Sequence, residues 1–128
     1  MMANALEGKP LPVYGDGQHV RDWIYVLDHC SAIDLVLRRA KPGSIYNIGS
    51  EHDVPNLSIV KLILKILGKS ESLIRYVEDR PGHDRRYAMD SSRIRRDLGW
   101  KPSHTFEEAL QAVLQWYLDH RTWWENIR

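Results

Sequence analysis

Short apolar runs alternate along this chain with longer stretches in which apolar residues recur at helical spacing. The runs at 22–26 (DWIYV) and 44–49 (SIYNIG) are rich in β-branched and aromatic residues and predict strands. LPVY at 11–14 and LIRYV at 73–77 predict short extended segments. Helical spacing predicts the end of a helix at 1–7 and four further helices, over about 29–39, 57–67, 91–98 and 106–120.

Polar residues at the predicted helix starts support these boundaries. Asp28 is placed to cap the helix over 29–39, and Asp90 the helix over 91–98. Thr105 and Glu108 form the T-x-x-E pattern of a capping box at the start of the last helix.

Strands that alternate with helices indicate an α/β fold, here α+β-like and small. Pro and Gly are scattered and no linker or repeat is visible, which predicts a single domain over 1–128. The strands are few for a sheet, and the chain opens in what reads as the tail of a helix. We therefore expect a portion of a larger protein, without a complete Rossmann domain.

Composition narrows the class of protein. The chain has 128 residues, enough for a core without disulfides, and 18 basic against 17 acidic residues. This balance argues against a nonspecific nucleic-acid binder or a polybasic membrane anchor. The single cysteine, Cys30, excludes a disulfide framework and fits a reducing compartment. With no secretory leader and no long apolar run, a cytoplasmic location is expected.

Common catalytic and metal motifs are absent from the sequence. Gly15-Asp16-Gly17 resembles the start of a dinucleotide fingerprint, but the third glycine is missing and a strand follows, so a tight turn is predicted. Neither G-x-S-x-G nor Tyr-x-x-x-Lys occurs, and no histidine pair has the helical i, i+4 spacing of a zinc enzyme. We expect no native metal.

The loop EDRPGHDRRYAMD at 78–90 is the most unusual segment. Arg80 could grip a phosphate through its planar fork of donors, and Pro81-Gly82 could fix the loop so that its backbone approaches a ligand. The alternative is a solvated loop with local ion pairs, each worth little.

Three residues elsewhere have similar alternatives. Arg21 is either a second phosphate clamp or the ion-pair partner of a neighbour such as Asp22. Tyr14 could stack on a planar base, and Asn56 could cap a helix or donate its amide to a ligand. Together with the loop they would suit a base and a pyrophosphate, but their spacing leaves open whether they converge.

Four segments carry a resemblance to a known family: LPVYGDGQHVRDWIYVLDH, YNIGS, DRPGHDRRYAMDSSRIRRDLGWKP and TFEEALQAVLQWYLDH. They resemble the C-terminal portion of the dTDP-glucose 4,6-dehydratase family, lyases of the extended short-chain dehydrogenase/reductase group. Leu27 departs from the family pattern, which usually has an acidic residue there. The resemblance implies a reaction in which bound NAD takes and returns a hydride and dTDP-glucose becomes dTDP-4-keto-6-deoxyglucose, in deoxysugar and rhamnose biosynthesis.

The resemblance also implies a set of substrate contacts. Pro12 and Tyr14 would lie against the thymine, Arg21 and Arg80 on phosphates, and His83 near the nucleotide. The implied substrate-binding positions are Pro12, Tyr14, Arg21, Asn56, Asp79, Arg80, Pro81, Gly82 and His83.

The family's NAD fingerprint, its Tyr-x-x-x-Lys and its acid/base set lie in an N-terminal portion that has no counterpart here. The resemblance therefore implies a chain that, alone, neither binds NAD in the family's manner nor catalyses the dehydration. The expected partners are dTDP or dTDP-glucose and a missing NAD-binding half, with no nucleic acid and no membrane. An apolar face of the helix over 29–39 would then be exposed, which predicts a homodimer or poor solubility.

Two alternatives remain open at this stage. The chain could be a piece of another sugar-nucleotide enzyme, such as an epimerase, which a preference for uridine nucleotides would identify. It could also be a non-catalytic module that engages a protein or nucleic acid through Arg85, Arg86 and the Trp-rich end (Trp116, Trp123, Trp124).

Overall fold

The computed structural model describes residues 1–127, and within them it has six helices and five short strands. This confirms the predicted mixture of helices and strands, with one more helix, Arg121–Asn126, than expected. In chain order the elements are α1 (Met2–Leu6), β1 (Leu11–Tyr14), β2 (Val20–Asp22), α2 (Val26–Arg39), β3 (Asp53–Pro55), α3 (Asn56–Ile66), β4 (Ile74–Val77), β5 (Arg86–Tyr87), α4 (Ser92–Leu98), α5 (Phe106–Asp119) and α6 (Arg121–Asn126).

The chain divides into two compact units, each made of segments that are separated in sequence. The first contains 1–19, 55–85 and the chain from Leu110 onward, and the second contains 20–54 and 86–109. The single domain over 1–128 stays a prediction. No helix among residues 1–127 is long and apolar enough to cross a membrane.

The first unit is built on the parallel pairing of β1 with β4, in the register Leu11↔Ile74 to Tyr14↔Val77. Leu11 and Val13 are buried and alternate with exposed Pro12 and Tyr14, as expected for a strand with one face on a core. Helix α3 packs against β1 and α1. Its buried residues are Ile59, Val60, Ile63 and Leu64.

In the second unit, β2 lies between β3 and β5 and runs parallel to β5. Its core centres on Ala32, Ile94 and Trp100. The indole N–H of Trp100 donates to the hydroxyl of Ser31 over 3.0 Å, so burial leaves this donor paired.

The predicted strand at 22–26 is wrong in its position. The strand ends at Asp22, whose carboxylate accepts hydrogen bonds from the backbone N–H and hydroxyl of Ser50. The backbone N–H of Trp23 donates to His52. The strand β2 therefore stops at Asp22. Helix α2 begins at Val26, three residues before the predicted start.

The predicted strand at 44–49 is also wrong, because no strand among the described residues pairs with this segment. Tyr46 and Ile48 still pack on the core of the second unit, while Ile45 is 77% exposed. Part of the expected apolar face of α2 is exposed as predicted. Ile33 is 49% and Leu37 83% exposed, whereas Ala32 is buried.

The predicted capping box is confirmed, and Asp90 bonds to the start of α4 although the N-cap residue there is Ser91. The carboxylate of Asp90 accepts the backbone N–H of Ser92 over 2.8 Å at the start of α4. At the start of α5, the backbone N–H of Thr105 donates to Glu108 over 2.9 Å and that of Glu108 donates to the Thr105 hydroxyl over 3.3 Å. This reciprocal pair is a capping box.

Asp28 is not the cap of α2, which begins after Tyr25. Asp28 lies in the first turn, only 3% exposed, and accepts the backbone N–H groups of Ser103 and His104 and the Nδ1 of His104 at 3.1, 3.3 and 2.9 Å. Burial opposes its ionisation, but the hydrogen bonds from His104 and Ser103 outweigh burial and lower the pKa of Asp28. Asp28 thus ties α2 to the segment that leads into α5.

Replacing Asp28 should destabilise the chain. Asp28→Ala leaves the N–H groups of Ser103 and His104 without their acceptor, which should lower the free energy of unfolding by about 2–3 kcal/mol at neutral pH. Because the pKa of Asp28 is lowered in the folded state, the difference from wild type should shrink as pH falls below about 4. Urea unfolding at several pH values measures both effects.

Asp34→Ala, on the same helix, is the matched control. It removes an exposed i, i+4 ion pair with Arg38 and should change stability little. Equal losses in the two variants would contradict the role given to Asp28.

Candidate functional site

The site begins where β1 and β4 end side by side. Parallel strands point their carboxyl ends to the same edge, so the turn after β1 meets the loop after β4. The backbone N–H of Gly15 donates to Val77 over 2.9 Å, and that of Gly17 donates to Tyr14 over 3.0 Å. The predicted tight turn is therefore confirmed, and it is bonded to the neighbouring strand.

One carboxylate, that of Asp79, joins two histidines. Its Oδ1 lies 2.7 Å from Nδ1 of His83, and its Oδ2 lies 3.0 Å from Nε2 of His19. The two imidazoles stack with centroids 3.9 Å apart and planes 18° apart. The hydrogen bond from His83, helped by the backbone N–H of Arg80 and opposed by burial, lowers the pKa of Asp79. At neutral pH the group is an ionised acceptor between two rings.

Arg80 extends over an exposed aromatic ring. Its guanidinium carbon lies 5.1 Å from the centroid of Tyr14, and one of its terminal nitrogens lies 2.9 Å from Nε2 of His83. Tyr14 and His83 meet edge to face at 6.1 Å. The result is a cation, a phenol ring and an imidazole grouped at one strand edge, with Tyr14 43% exposed.

The Pro81-Gly82 turn brings the loop residues together. Gly82 has a φ of +68°, a conformation that glycine adopts without steric cost, and the backbone N–H of His83 donates to Arg80 over 3.2 Å. This reversal places the side chain of His83 back against Asp79.

The start of α3 adjoins the same cluster. The backbone N–H of Asn56 donates to the carbonyl of His19 over 2.9 Å, and that of Leu57 donates to Gly17 over 3.0 Å. The side-chain Oδ1 of Asn56 is buried and has no hydrogen-bond partner among residues 1–127.

The structure thus brings together most of the residues that the sequence pointed to. Arg80 contacts Tyr14 and His83, and His83 bonds to Asp79. The backbone N–H of Asn56 donates to the carbonyl of His19. Pro12 shares the exposed face of β1 with Tyr14, and Pro81 and Gly82 form the loop's turn. Arg21 belongs to the second unit, where it lies on β2 and donates to the carbonyl of Val20 over 2.7 Å.

Two further arginines of the loop region are held by carboxylates. Arg85 donates two hydrogen bonds to Asp16, at 2.7 and 2.8 Å, and the pKa of Asp16 is far below its usual value chiefly because of them. Arg86 donates to Asp53 over 2.7 Å. These pairs give both side chains structural partners, which weakens the alternative in which they grip a nucleic acid.

His19 is the member of the cluster that sequence reasoning missed. It is 3% exposed, and its backbone carbonyl accepts the N–H of Asn56. Its partner Asp79 is far along the chain, so neither spacing nor a motif links the two residues. Only the parallel pairing of β1 with β4 makes them neighbours.

His19, Asp79 and His83 have ligand atoms within 4.8 Å of one another, close enough to raise the question of a metal. A metal–imidazole bond of about 2.0–2.1 Å lies in the plane of the ring. The two ring planes are stacked and inclined by 18°, so they do not meet at that distance from both nitrogens. In this arrangement the carboxylate accepts one N–H from each ring, and the rings would have to separate before they could share a metal.

Comparison with known proteins gives the family of this chain. The family model described as GDP-mannose 4,6 dehydratase matches residues 1–113. The chain belongs to this family. Among its relatives, the dTDP-glucose 4,6-dehydratases of Neisseria meningitidis serogroup B and Escherichia coli are 49% and 45% identical, each over 99% of this chain.

Solved structures of the same family have the same fold. The dTDP-glucose 4,6-dehydratase of Bacillus anthracis, in complex with NAD, aligns over 99% of this chain with a TM-score of 0.93 and 47% identity. The Streptomyces venezuelae enzyme, solved with NAD and TYD bound, gives a TM-score of 0.95 and 41% identity. The UDP-glucose 4-epimerase of Thermotoga maritima is more distant, at 0.86 and 27%. The predicted resemblance and extended short-chain dehydrogenase/reductase fold are confirmed.

The chain spans about two fifths of the length of these family members, 39% of the Neisseria protein and 40% of the Bacillus chain. NAD is bound in the Bacillus and Streptomyces structures. The turn Gly15–Gly17 does not fit the pyrophosphate of that cofactor in the manner of the dinucleotide fingerprint, because it leads into β2 rather than into a helix N-terminus. No chemical step through NAD is therefore assigned to these residues.

Gly15 gives a direct test of the site's geometry. It has a φ of +56°, and a Cβ added there would lie 3.0 Å from Oδ2 of Asp79. Gly15→Ala should lower the free energy of unfolding by about 1–2 kcal/mol through the backbone conformation, and should also displace Asp79. Urea unfolding and the NMR signals of the His19 and His83 rings measure the two effects.

The matched control is Gly8→Ala. Gly8 has a similar φ of +69°, but an added Cβ would meet no atom within 4 Å. The Gly8→Ala variant should lose a similar free energy of unfolding, and the NMR signals of the His19 and His83 rings should not move. Unchanged signals in Gly15→Ala would contradict the close approach of Gly15 to Asp79.

Proposed function

We propose that this chain is the nucleotide-sugar-binding portion of a dTDP-glucose 4,6-dehydratase and that it holds the dTDP end of the substrate. The observation that carries the proposal is the placement of Arg80 over the exposed ring of Tyr14 at the shared edge of β1 and β4. A nucleoside diphosphate needs an aromatic face for its base and a fixed cation for its phosphates. The names of the family members support the choice of dTDP.

Arg80 is better placed than Arg85 to bind a phosphate. Arg85 makes two charge-assisted bonds to Asp16, whereas Arg80 contacts a neutral ring nitrogen and a π face. Both terminal nitrogens of Arg85 are engaged by the Asp16 carboxylate, whereas only one terminal nitrogen of Arg80 is bonded to His83, so Arg80 keeps donors for a phosphate without leaving its position. The free side of the guanidinium can then donate a bidentate pair to phosphate oxygens.

The remaining positions are proposed from the family resemblance. Pro12, on the same face of β1 as Tyr14, would border the thymine, and Asn56 would use its unpaired Oδ1 to accept a ligand N–H. Arg21 would contact the diphosphate. Pro81 and Gly82 would shape the loop.

The chemical steps would come from a portion that this chain does not contain. The 128 residues include neither the glycine-rich NAD fingerprint nor Tyr-x-x-x-Lys. We therefore propose that the chain alone does not convert dTDP-glucose. Turnover would need an NAD-binding portion supplied by the same or another polypeptide.

The second unit has features that favour such a partner. No strand among the described residues pairs with the segment 44–49, and Ile45, Ile33 and Leu37 are exposed. We propose that the NAD-binding portion pairs with this segment and covers these side chains. A second copy of the chain is the alternative partner for the same surface.

The first experiment is a calorimetric titration of the 128-residue chain with dTDP, with UDP in parallel. Saturable binding that prefers dTDP is expected. A preference for UDP would favour an epimerase-type portion, and binding of neither by a chain with a folded NMR spectrum would contradict the proposal for this chain.

Arg80→Ala should weaken dTDP binding by about 1.5–3 kcal/mol, or roughly 10- to 150-fold in Kd, because a charge-assisted contact is lost. The same calorimetric titration measures the change. Arg38→Ala is the control: it removes an exposed arginine that pairs with Asp34 on α2 and should leave the affinity unchanged. If Arg80→Ala binds like wild type, Arg80 has no phosphate role.

A further inference from the structure

The contact between Arg80 and His83 defines where the proton of His83 lies. A guanidinium can only donate hydrogen bonds, so the Nε2 that lies 2.9 Å from Arg80 must be an acceptor without a proton. A neutral imidazole carries one N–H, which must then be on Nδ1. That nitrogen lies 2.7 Å from the ionised Oδ1 of Asp79, where an N–H is required. The two neighbours therefore select the same tautomer.

His19 has the opposite tautomer. Its Nε2 lies 3.0 Å from Oδ2 of Asp79 and must donate to it, since an ionised carboxylate only accepts. Its Nδ1 is buried without a partner among residues 1–127. A proton there would be a buried donor with no acceptor, so the geometry favours a neutral His19. Its ring then stacks on His83 at 3.9 Å without charge repulsion.

We propose that Asp79 and His19 are positioning residues that hold His83 in the Nδ1–H tautomer and thereby hold Arg80 over Tyr14, preorganised for a phosphate-bearing ligand. This inference rests on the proposed function. It gives Asp79 a role through His83 rather than a direct contact with the ligand. It also gives a role to His19, which neither the motif search nor the family resemblance singled out.

The physical basis of this positioning is a chain of hydrogen bonds, from His19 through Asp79 and His83 to Arg80, in which every donor faces an acceptor. His19 and His83 each donate to one oxygen of Asp79, and this fixes the carboxylate between the two rings. The side chain of His83 is only 7% exposed, so water has little access to compete for its nitrogens. If His83 took the Nε2–H tautomer instead, two donors would face each other and Arg80 would leave its position. The ligand would then have to order a mobile arginine, which weakens binding.

The tautomer can be measured without any ligand. The 128-residue chain, labelled with ¹⁵N-histidine, is examined by long-range ¹H–¹⁵N correlation NMR at a pH where a free imidazole is neutral. His83→Gln and His19→Gln assign the two rings. We expect His83 to be protonated on Nδ1 and His19 on Nε2. An Nε2–H tautomer at His83 in a folded chain would overturn the proposal.

Asp79→Asn tests the positioning role. The amide keeps the shape of Asp79 but lacks its charge and one of its two acceptors, so His83 should become a mixture of tautomers. The Kd for dTDP should rise by roughly five- to tenfold. His19→Phe keeps a ring in the stack but removes the N–H to Oδ2, and it should give a smaller change in the same direction. Glu78→Gln, at the exposed carboxylate next to Asp79, is the matched control and should change neither the tautomer nor the Kd.

The two readouts separate this inference from the proposed function. If wild type shows the expected tautomers but binds no dTDP, the proposed function fails, while the assignment of His83 is upheld. If wild type binds dTDP and Asp79→Asn binds equally well or keeps a single His83 tautomer, the positioning role is wrong and the proposed function stands.

Discussion

The parallel pairing of β1 with β4 is the constraint on which the candidate site depends. Parallel strands end at the same edge, and the hydrogen bond from Gly15 to Val77 continues the contact past the last residue of β1. The turn and the loop are therefore neighbours, although they are distant in the chain. Gly15 is needed at this point because a side chain would press on Asp79. The cluster of Asp79 with its two histidines follows from this approach of two backbones.

Within the loop, the partner of each arginine decides what that arginine can do. Arg85 has a carboxylate that satisfies its fork of donors, and the resulting ion pair braces the loop against the turn after β1. Arg80 has only a ring nitrogen and an aromatic face. Both side chains are exposed and carry the same charge, so composition cannot separate them. The difference lies in where Asp16 and Asp79 are placed, which is a property of the fold.

The sequence predicted features whose partners are close in the chain. The capping box of Thr105 and Glu108 and the strand at 11–14 are confirmed because local spacing determines them. Asp28 was assigned wrongly as a cap because its true partners, around His104, are distant in sequence. The segment 44–49 has the composition of a strand, but a strand also needs a neighbour, which the described chain does not provide. His19 could not be found for the same reason, since its role depends on Asp79.

The two units differ in how far their strands are paired and their apolar side chains are buried within the described chain. This difference affects which of the proposed functions each unit could support. In the first unit β1 and β4 pair with each other, and α3 buries four apolar residues in its packing. In the second unit, 44–49 lacks a strand neighbour and apolar side chains of α2 are exposed. Of the nine positions that the resemblance implies for the substrate site, Arg21 alone lies in the second unit. Under the proposed function, the base and the phosphate near Arg80 would be recognised by elements of the first unit, whereas the contact proposed for Arg21 would depend on the second unit. The proposed ligand affinity and the proposed assembly with an NAD-binding portion therefore rest on different units and would be separable by mutation.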